Sequence, residues 1–116
     1  MSPTIVLDPA GNPLLSLVAA GGTTIISQTV LNLIGVIDLK LPLQEALARP
    51  RLQHQWAPDT LRVERSLPEA ALGKLREKGH KIQAVDSIGV SQIVGKDGGA
   101  SGGASDPRVK GKAAAW

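Results

Sequence analysis

At 116 residues and 42% apolar content, the chain is sized for at most one ordinary domain, and its composition argues against wholesale disorder. It has no cysteine, which excludes disulfides, thiolate catalysis and cysteine metal sites, and its only aromatics are Trp56 and Trp116, too few to stack on bases or sugars. The net charge of +3 is uneven: residues 1–38 carry only Asp8 and Asp38, a net of −2, so the remainder carries +5.

Residues 4–7 are a short β-type run, ended by the turn Asp8-Pro9-Ala10-Gly11-Asn12-Pro13. Residues 14–20 are almost continuously apolar and of strand length, which predicts a central strand buried on both faces. Gly21-Gly22 punctuates that run. Residues 23–37 follow with Ile26, Val30, Leu33, Ile34 and Ile37 at helical spacing. The uncharged stretch is not a membrane span, because Gly21-Gly22, Thr23, Thr24, Ser27, Gln28, Thr29 and Asn32 interrupt it. No basic segment precedes it, so it does not read as a signal peptide either. It reads as a segment buried within a larger assembly. A second helix is expected over residues 42–48, with Leu43, Ala46 and Leu47 on one face, and Pro50 forces an extended exit.

Residues 60–64 alternate as a strand with one wet face. Ser66 and Glu69 have the spacing of a capping box, opening a helix that turns Ala71, Leu72 and Leu75 inward and ends at Gly79. Residues 81–85 and 87–94 read as strands separated by a turn at Asp86. Residues 98–105 contain only Gly, Ala and Ser, the composition of a flexible linker. In the basic half, Arg49, Arg51, Arg62, Arg65, Lys74, Arg76, Lys78 and Lys81 alternate with Glu45, Glu64, Glu69 and Glu77. That mixture is expected of a solvated outer face, with no nucleic-acid partner. The pattern as a whole is α/β or α+β, with no repeat and no internal boundary.

Few residues carry a chemical signal. His54 and His80 are distant in sequence and lack a clustered acid partner, so they read as structural; no metal or cofactor site is expected. Ser16, Ser27 and Ser66 lack the surroundings of a hydrolase nucleophile, and residues 98–103 lack the Lys-Ser/Thr of a phosphate loop. Gly21-Gly22 differs from these. A glycine pair between a buried strand and a helix exposes backbone N–H groups that no side chain shields, at the positive end of the helix. Such a place suits a carboxylate or a developing oxyanion. A tight strand-to-helix turn is the alternative.

At these residues the chain resembles the small subunit of gamma-glutamyltransferases. Met1-Ser2-Pro3-Thr4-Ile5 matches the family's Met-Ser-Pro-Thr stretch, and Ala19-Ala20-Gly21-Gly22-Thr23 its Gly-Gly segment. Ile37-Asp38, Ala46 to Pro50-Arg51, His54-Gln55, Pro58-Asp59, Val63-Glu64, Gly79-His80 and Ala104-Ser105-Asp106-Pro107-Arg108 continue the match in order. The resemblance implies an α+β fold, part of the αββα sandwich of an N-terminal-nucleophile hydrolase. It also implies a mechanism: a threonine freed by self-cleavage attacks the γ-glutamyl carbonyl of glutathione or a related amide. Its own α-amino group serves as base. Gly21 and Gly22 would hold the oxyanion through their N–H groups.

Three departures accompany the match. The family's Thr-Thr-His processing motif is absent, since Thr23-Thr24 is followed by Ile25. The serine pair that binds the donor carboxylate precedes the family's Met-Ser-Pro, so Ser2 is not one of them. Many bacterial members have arginine where Thr24 stands. The resemblance therefore implies a carboxy-terminal segment that depends on a nucleophile-bearing segment and a large subunit, acts on a small γ-glutamyl substrate, and is inactive alone. A non-catalytic interaction domain of the same fold and a part of a related amidase, such as a cephalosporin acylase, are the alternatives. The family is usually exported or surface-exposed, which suggests a periplasmic or extracellular location. Alone, the chain is expected to aggregate or stay partly unfolded, because residues 14–37 would lack a cover.

Overall fold

The structure is a computed structural model that describes residues 3–114. Met1 and Ser2 of the family match, and Trp116, lie outside the described residues. The chain divides into two compact units where the sequence suggests no boundary. One comprises the residues up to Arg49 together with those from Gly89 onward; the other is Pro50–Ile88.

The first unit is built on an antiparallel sheet of β1 (Thr4–Leu7), β2 (Pro13–Ala20), β6 (Val90–Asp97) and β7 (Ala100–Ser105), in the order β1-β2-β6-β7. The turn after β1 is closed by the Asp8 carboxylate, which accepts the N–H groups of Ala10 and Asn12 at 2.9 and 2.8 Å. Those bonds to Asn12, with its side-chain amide, hold the Asp8 carboxyl below the usual carboxylate range. β2 is central, as expected, but only one of its faces is fully buried. Leu15, Leu17 and Ala19 point into the core, while Leu14, Ser16, Val18 and Ala20 are half-covered. Leu43, Leu47, Ile93 and Ala104 complete that core.

The helix after β2 departs most from the expectation. It begins as a 3₁₀ turn (Gly22–Thr24), continues as α1 (Ile25–Leu33), and ends in a widened π turn (Ile34–Asp38). Its apolar stripe is turned outward at Ile26, Val30 and Ile34, with Ile26 75% exposed, whereas Gln28 and Asn32 are buried. Periodicity locates the helix and part of its inward face, since Leu33 and Ile37 pack against the core. At the start of the helix Gln28 is turned inward instead, where it donates to the Ala20 carbonyl and to Thr24 Oγ1. In the π turn, Gly35 lets the backbone approach α2 (Leu43–Ala48); a Cβ there would lie 3.0 Å from that of Ala46. Leu43, Ala46 and Leu47 face the core as predicted.

Residues 98–105 are not a linker. β6 starts at Val90 rather than 87 and runs to Asp97, where Gly98-Gly99 forms a two-residue loop into β7. Both glycines have positive φ, which a primed hairpin turn demands. Small residues are also required inside the sheet: a Cβ on Gly95 would sit 2.8 Å from the Leu14 carbonyl oxygen.

The second unit holds β3 (Leu52–His54), β4 (Leu61–Glu64), α3 (Glu69–Glu77) and β5 (Ile82–Val85). β3 pairs antiparallel with β4, and β5 parallel with it after the α3 crossover. β3 is not expected from the sequence. The capping box does not form: Pro68 is the N-cap, and the Glu69 carboxylate pairs with Arg76. At the other end Gly79 closes α3, donating to the Arg76 carbonyl while His80 donates to that of Leu75. The solvated face expected of the basic half fails at two positions. Arg51 and Glu64 are each 2% exposed. Glu64 accepts the N–H of Arg51 at 2.9 Å and of Ile88 at 2.7 Å, and Arg51 Nη1 donates to the Ile88 carbonyl at 3.1 Å.

Candidate functional site: a glycine corner on buried polar support

Gly21 and Gly22 stand at the corner between β2 and the 3₁₀ turn, with φ of +138° and +59°. Both are exposed. The reasons for glycine differ. A Cβ on Gly21 would fall 2.5 Å from Thr24 Oγ1 and 3.0 Å from Gly89 Cα, so space and conformation both exclude a side chain. A Cβ on Gly22 would meet nothing within 4 Å, so only its left-handed backbone calls for glycine.

Beneath the corner lies a continuous set of hydrogen bonds. The Thr24 N–H and hydroxyl both donate to the Gly21 carbonyl, at 3.2 and 2.9 Å. Gln28 Nε2 donates to the Ala20 carbonyl at 3.0 Å and to Thr24 Oγ1 at 2.9 Å. The Ser91 hydroxyl donates to Gln28 Oε1 at 2.8 Å, and the Ser91 N–H to Asp106 Oδ2 at 2.8 Å. Asp106 Oδ1 accepts the Arg108 N–H and Nη1, at 3.0 and 3.1 Å. The Arg108 guanidinium also donates to the carbonyls of Leu47 and Arg49, both at 2.9 Å, which closes the last turn of α2. Gly89 makes room for all this: a Cβ there would lie 1.9 Å from Gln28 Nε2.

Of these residues the sequence singles out only the glycine pair as chemical. Gln28 reads there as one of the polar interruptions of an apolar stretch, and Asp106 and Arg108 only as part of a family match. The one sequence signal for Gln28 is a lone amide in an uncharged run, which has meaning only once its burial is known.

The other candidates fall elsewhere. His54 does have an acid partner, contrary to the sequence reading: its Nε2 lies 3.1 Å from Asp59 Oδ1. Its Nδ1 accepts the Trp56 N–H at 3.0 Å, so in the neutral ring Nε2 carries the proton donated to Asp59. The His80 ring is 6.3 Å away, tilted by 58°. Among the described residues no three His, Cys, Asp or Glu side chains converge as metal ligands. Ser16, Ser27 and Ser66 lie on β2, on α1 and in the turn before α3. A surface hollow lined by Ile5, Asp8, Asn12, Ser16, Val94 and Lys96 sits at the end of β2 away from the glycine pair. No helix of the described residues is long and apolar enough to cross a membrane.

The family model of gamma-glutamyltranspeptidase matches residues 1–116. The chain belongs to this family. It is 41% identical over 110 residues to the glutathione hydrolase proenzyme of Escherichia coli strain K12, a match that covers 93% of this chain and 19% of that protein. The structure of gamma-glutamyltranspeptidase from Pseudomonas nitroreducens, complexed with L-DON, superposes with a TM-score of 0.88 at 32% identity, covering 100% of this chain and 62% of that one. Cephalosporin acylase from Bacillus halodurans gives the same TM-score at 29% identity, with 98% and 22% covered. These likenesses bear out the expected α+β class and its place in the N-terminal-nucleophile hydrolase sandwich. At 19% coverage, the chain spans less than a quarter of the length of the Escherichia coli relative.

Proposed function

We propose that this gamma-glutamyltranspeptidase-family chain is part of a γ-glutamyl transferase/hydrolase acting on glutathione and related γ-glutamyl amides. In that enzyme Gly21 and Gly22 stabilise the tetrahedral oxyanion. The observation that carries the reading is the exposed corner itself: two glycines in backbone conformations that side chains disfavour, at the end of a core strand, with their amides outside the hydrogen bonds that shape the turn. The chemistry follows from that arrangement. Attack on the γ-glutamyl carbonyl turns its oxygen into an alkoxide, and preorganised N–H donors lower the barrier because they need not reorient as charge develops. Loss of one such donor costs roughly 10²–10³ in rate.

The attacking group is a threonine hydroxyl, with its own free α-amino group as base. It belongs to a nucleophile-bearing segment, paired with a large subunit, since the 116 residues contain no Thr-Thr-His processing motif. Attack forms a γ-glutamyl ester and expels the amine. An amino acid, a peptide or water then takes the acyl group and releases the threonine. This chain contributes the oxyanion donors and scaffold but no nucleophile.

The test is release of p-nitroaniline from γ-glutamyl-p-nitroanilide. The chain assembled with the nucleophile-bearing segment and large subunit should turn over and the chain alone should not; turnover by the chain alone would overturn the assignment. The equal TM-score to cephalosporin acylase supports one alternative, hydrolysis of a different side-chain amide at the same corner. A glutaryl-anilide used in preference to the γ-glutamyl one would select it.

A further inference from the structure

We infer that Gln28 and Thr24 are positioning residues that aim the two oxyanion donors, an assignment that rests on the function proposed for the glycine pair. The geometry is that of the peptide group. Across a trans peptide bond the C=O of one residue and the N–H of the next point in opposite directions, within one rigid plane. The only cis bond among the described residues is Ala57-Pro58, so the two peptides at the corner are trans. The Ala20 carbonyl shares its plane with the Gly21 N–H, and the Gly21 carbonyl shares its plane with the Gly22 N–H.

Each of those carbonyls is held from the buried side. Gln28 Nε2 grips the Ala20 oxygen at 3.0 Å, and the Thr24 hydroxyl and N–H grip the Gly21 oxygen at 2.9 and 3.2 Å. Both N–H groups are thereby turned away from Gln28 and Thr24, toward the exposed side of the corner. Glycine supplies the freedom to adopt these planes, and the same freedom would let them rotate. The two side chains remove it. They are themselves constrained: Gln28 is 0% and Thr24 5% exposed, Gln28 donates to Thr24 Oγ1, and Ser91 donates to Gln28 Oε1. The Gln28 amide orientation is set accordingly, its oxygen toward the Ser91 hydroxyl and its nitrogen toward two acceptors. Neither side chain touches the reacting atoms. They act through the peptide planes.

Near-isosteric substitutions test this in the assembled protein. Thr24→Val removes the hydroxyl at nearly constant volume; Thr24→Ser retains it. Gln28→Glu retains the oxygen facing Ser91 and replaces the donor with an acceptor. On γ-glutamyl-p-nitroanilide, Thr24→Val and Gln28→Glu should each lower kcat about tenfold or more with KM within about twofold, because a misaimed donor is lost mainly in the transition state. Thr24→Ser should stay within about twofold of wild type in kcat, rescue that a bulk packing role would not give. The Gln28→Glu to wild-type ratio of kcat should rise as pH falls, because a protonated carboxyl can donate to the Ala20 oxygen again. Active wild type with unchanged kcat in both Thr24→Val and Gln28→Glu would overturn the inference and leave the proposed function intact. Inactive wild type would instead sink the proposed function. The inference is then decided by crystal structures of the assembled wild type, Thr24→Val and Gln28→Glu: retained orientation of the 20–21 and 21–22 peptides in both variants refutes it, and rotation of either supports it. If Gln28→Glu does not fold, the Thr24→Val and Thr24→Ser pair carries the same decision.

Discussion

Among the described residues each unit contains a buried polar cluster, and the two are wired differently. In the first unit, Thr24, Gln28, Ser91, Asp106 and Arg108 form a chain of bonds that ends on the carbonyls of an exposed glycine corner. In the second, Arg51 and Glu64 bond to main-chain groups of Arg51 and Ile88, and these bonds stay among buried residues. A buried polar cluster therefore has two distinguishable uses. One that ends at a surface backbone segment can orient it, and its loss appears in activity. One whose bonds hold buried backbone supports the fold, and its loss appears in stability.

The largest expected effect breaks the second cluster. Glu64→Ala leaves two buried N–H groups without their acceptor and should cost about 3 kcal/mol or more by chemical denaturation of the assembled protein. A cost below about 1 kcal/mol would mean the cluster is not structural. Next comes the contrast within the corner. Gly21→Ala meets both a 2.5 Å clash and an unfavourable φ, so it should destabilise by about 2–3 kcal/mol and lower kcat, whereas Gly22→Ala meets only the φ and should cost about 1–2 kcal/mol. Equal effects would show that the packing under Gly21 is not what demands glycine there. Ser91→Ala removes the bond that orients the Gln28 amide and should cost about 1 kcal/mol in the same denaturation assay, with a fall in kcat larger than any change in KM.

Smaller effects lie outside both clusters. Ile26→Gln on the outward stripe of α1, where the side chain is 75% exposed in this chain, tests whether another segment covers it. A cost of about 1 kcal/mol or more by denaturation of the assembled protein shows cover, and one below about 0.5 kcal/mol shows none. The Asp8 turn gives the smallest effect and has a definite sign. Its carboxyl is held below the ordinary value by the Asn12 and Ala10 bonds, so the ionised form favours the folded turn. That contribution is present above the ordinary carboxylate range and fades as pH falls through the lowered folded value. An NMR titration should show the Asp8 carboxyl midpoint below the ordinary value of 3.8, and Asp8→Asn should abolish the step.

Much of this is readable one segment at a time. The apolar run of β2, the Leu43, Ala46 and Leu47 face of α2 and the Gly79 cap are local patterns whose physics needs only near neighbours. Asp97-Gly98-Gly99-Ala100 also carries a hairpin signal, and the Gly/Ala/Ser composition around it outweighs that signal. The capping-box spacing of Ser66 and Glu69 misleads in the opposite way, because Pro68 holds the N-cap position and Arg76 offers Glu69 a charged partner. For the candidate site, the glycine pair is visible because two adjacent glycines between strand and helix serve either a tight turn or an open backbone. Its support is not visible, since Ser91 and Gln28 are 63 residues apart.

The sequence alone determined the elements, the likeness to the family, the uncharged front half and the glycine corner, because spacing, propensity and backbone freedom are properties of neighbouring residues. Which residues are inside was decided by tertiary structure. Ile26 is outside and Gln28, Arg51 and Glu64 are inside, against the hydrophobic order of their side chains. Burial of a polar group is tolerable only where its partners are already arranged around it, and those partners come from strands and turns that only the fold brings together.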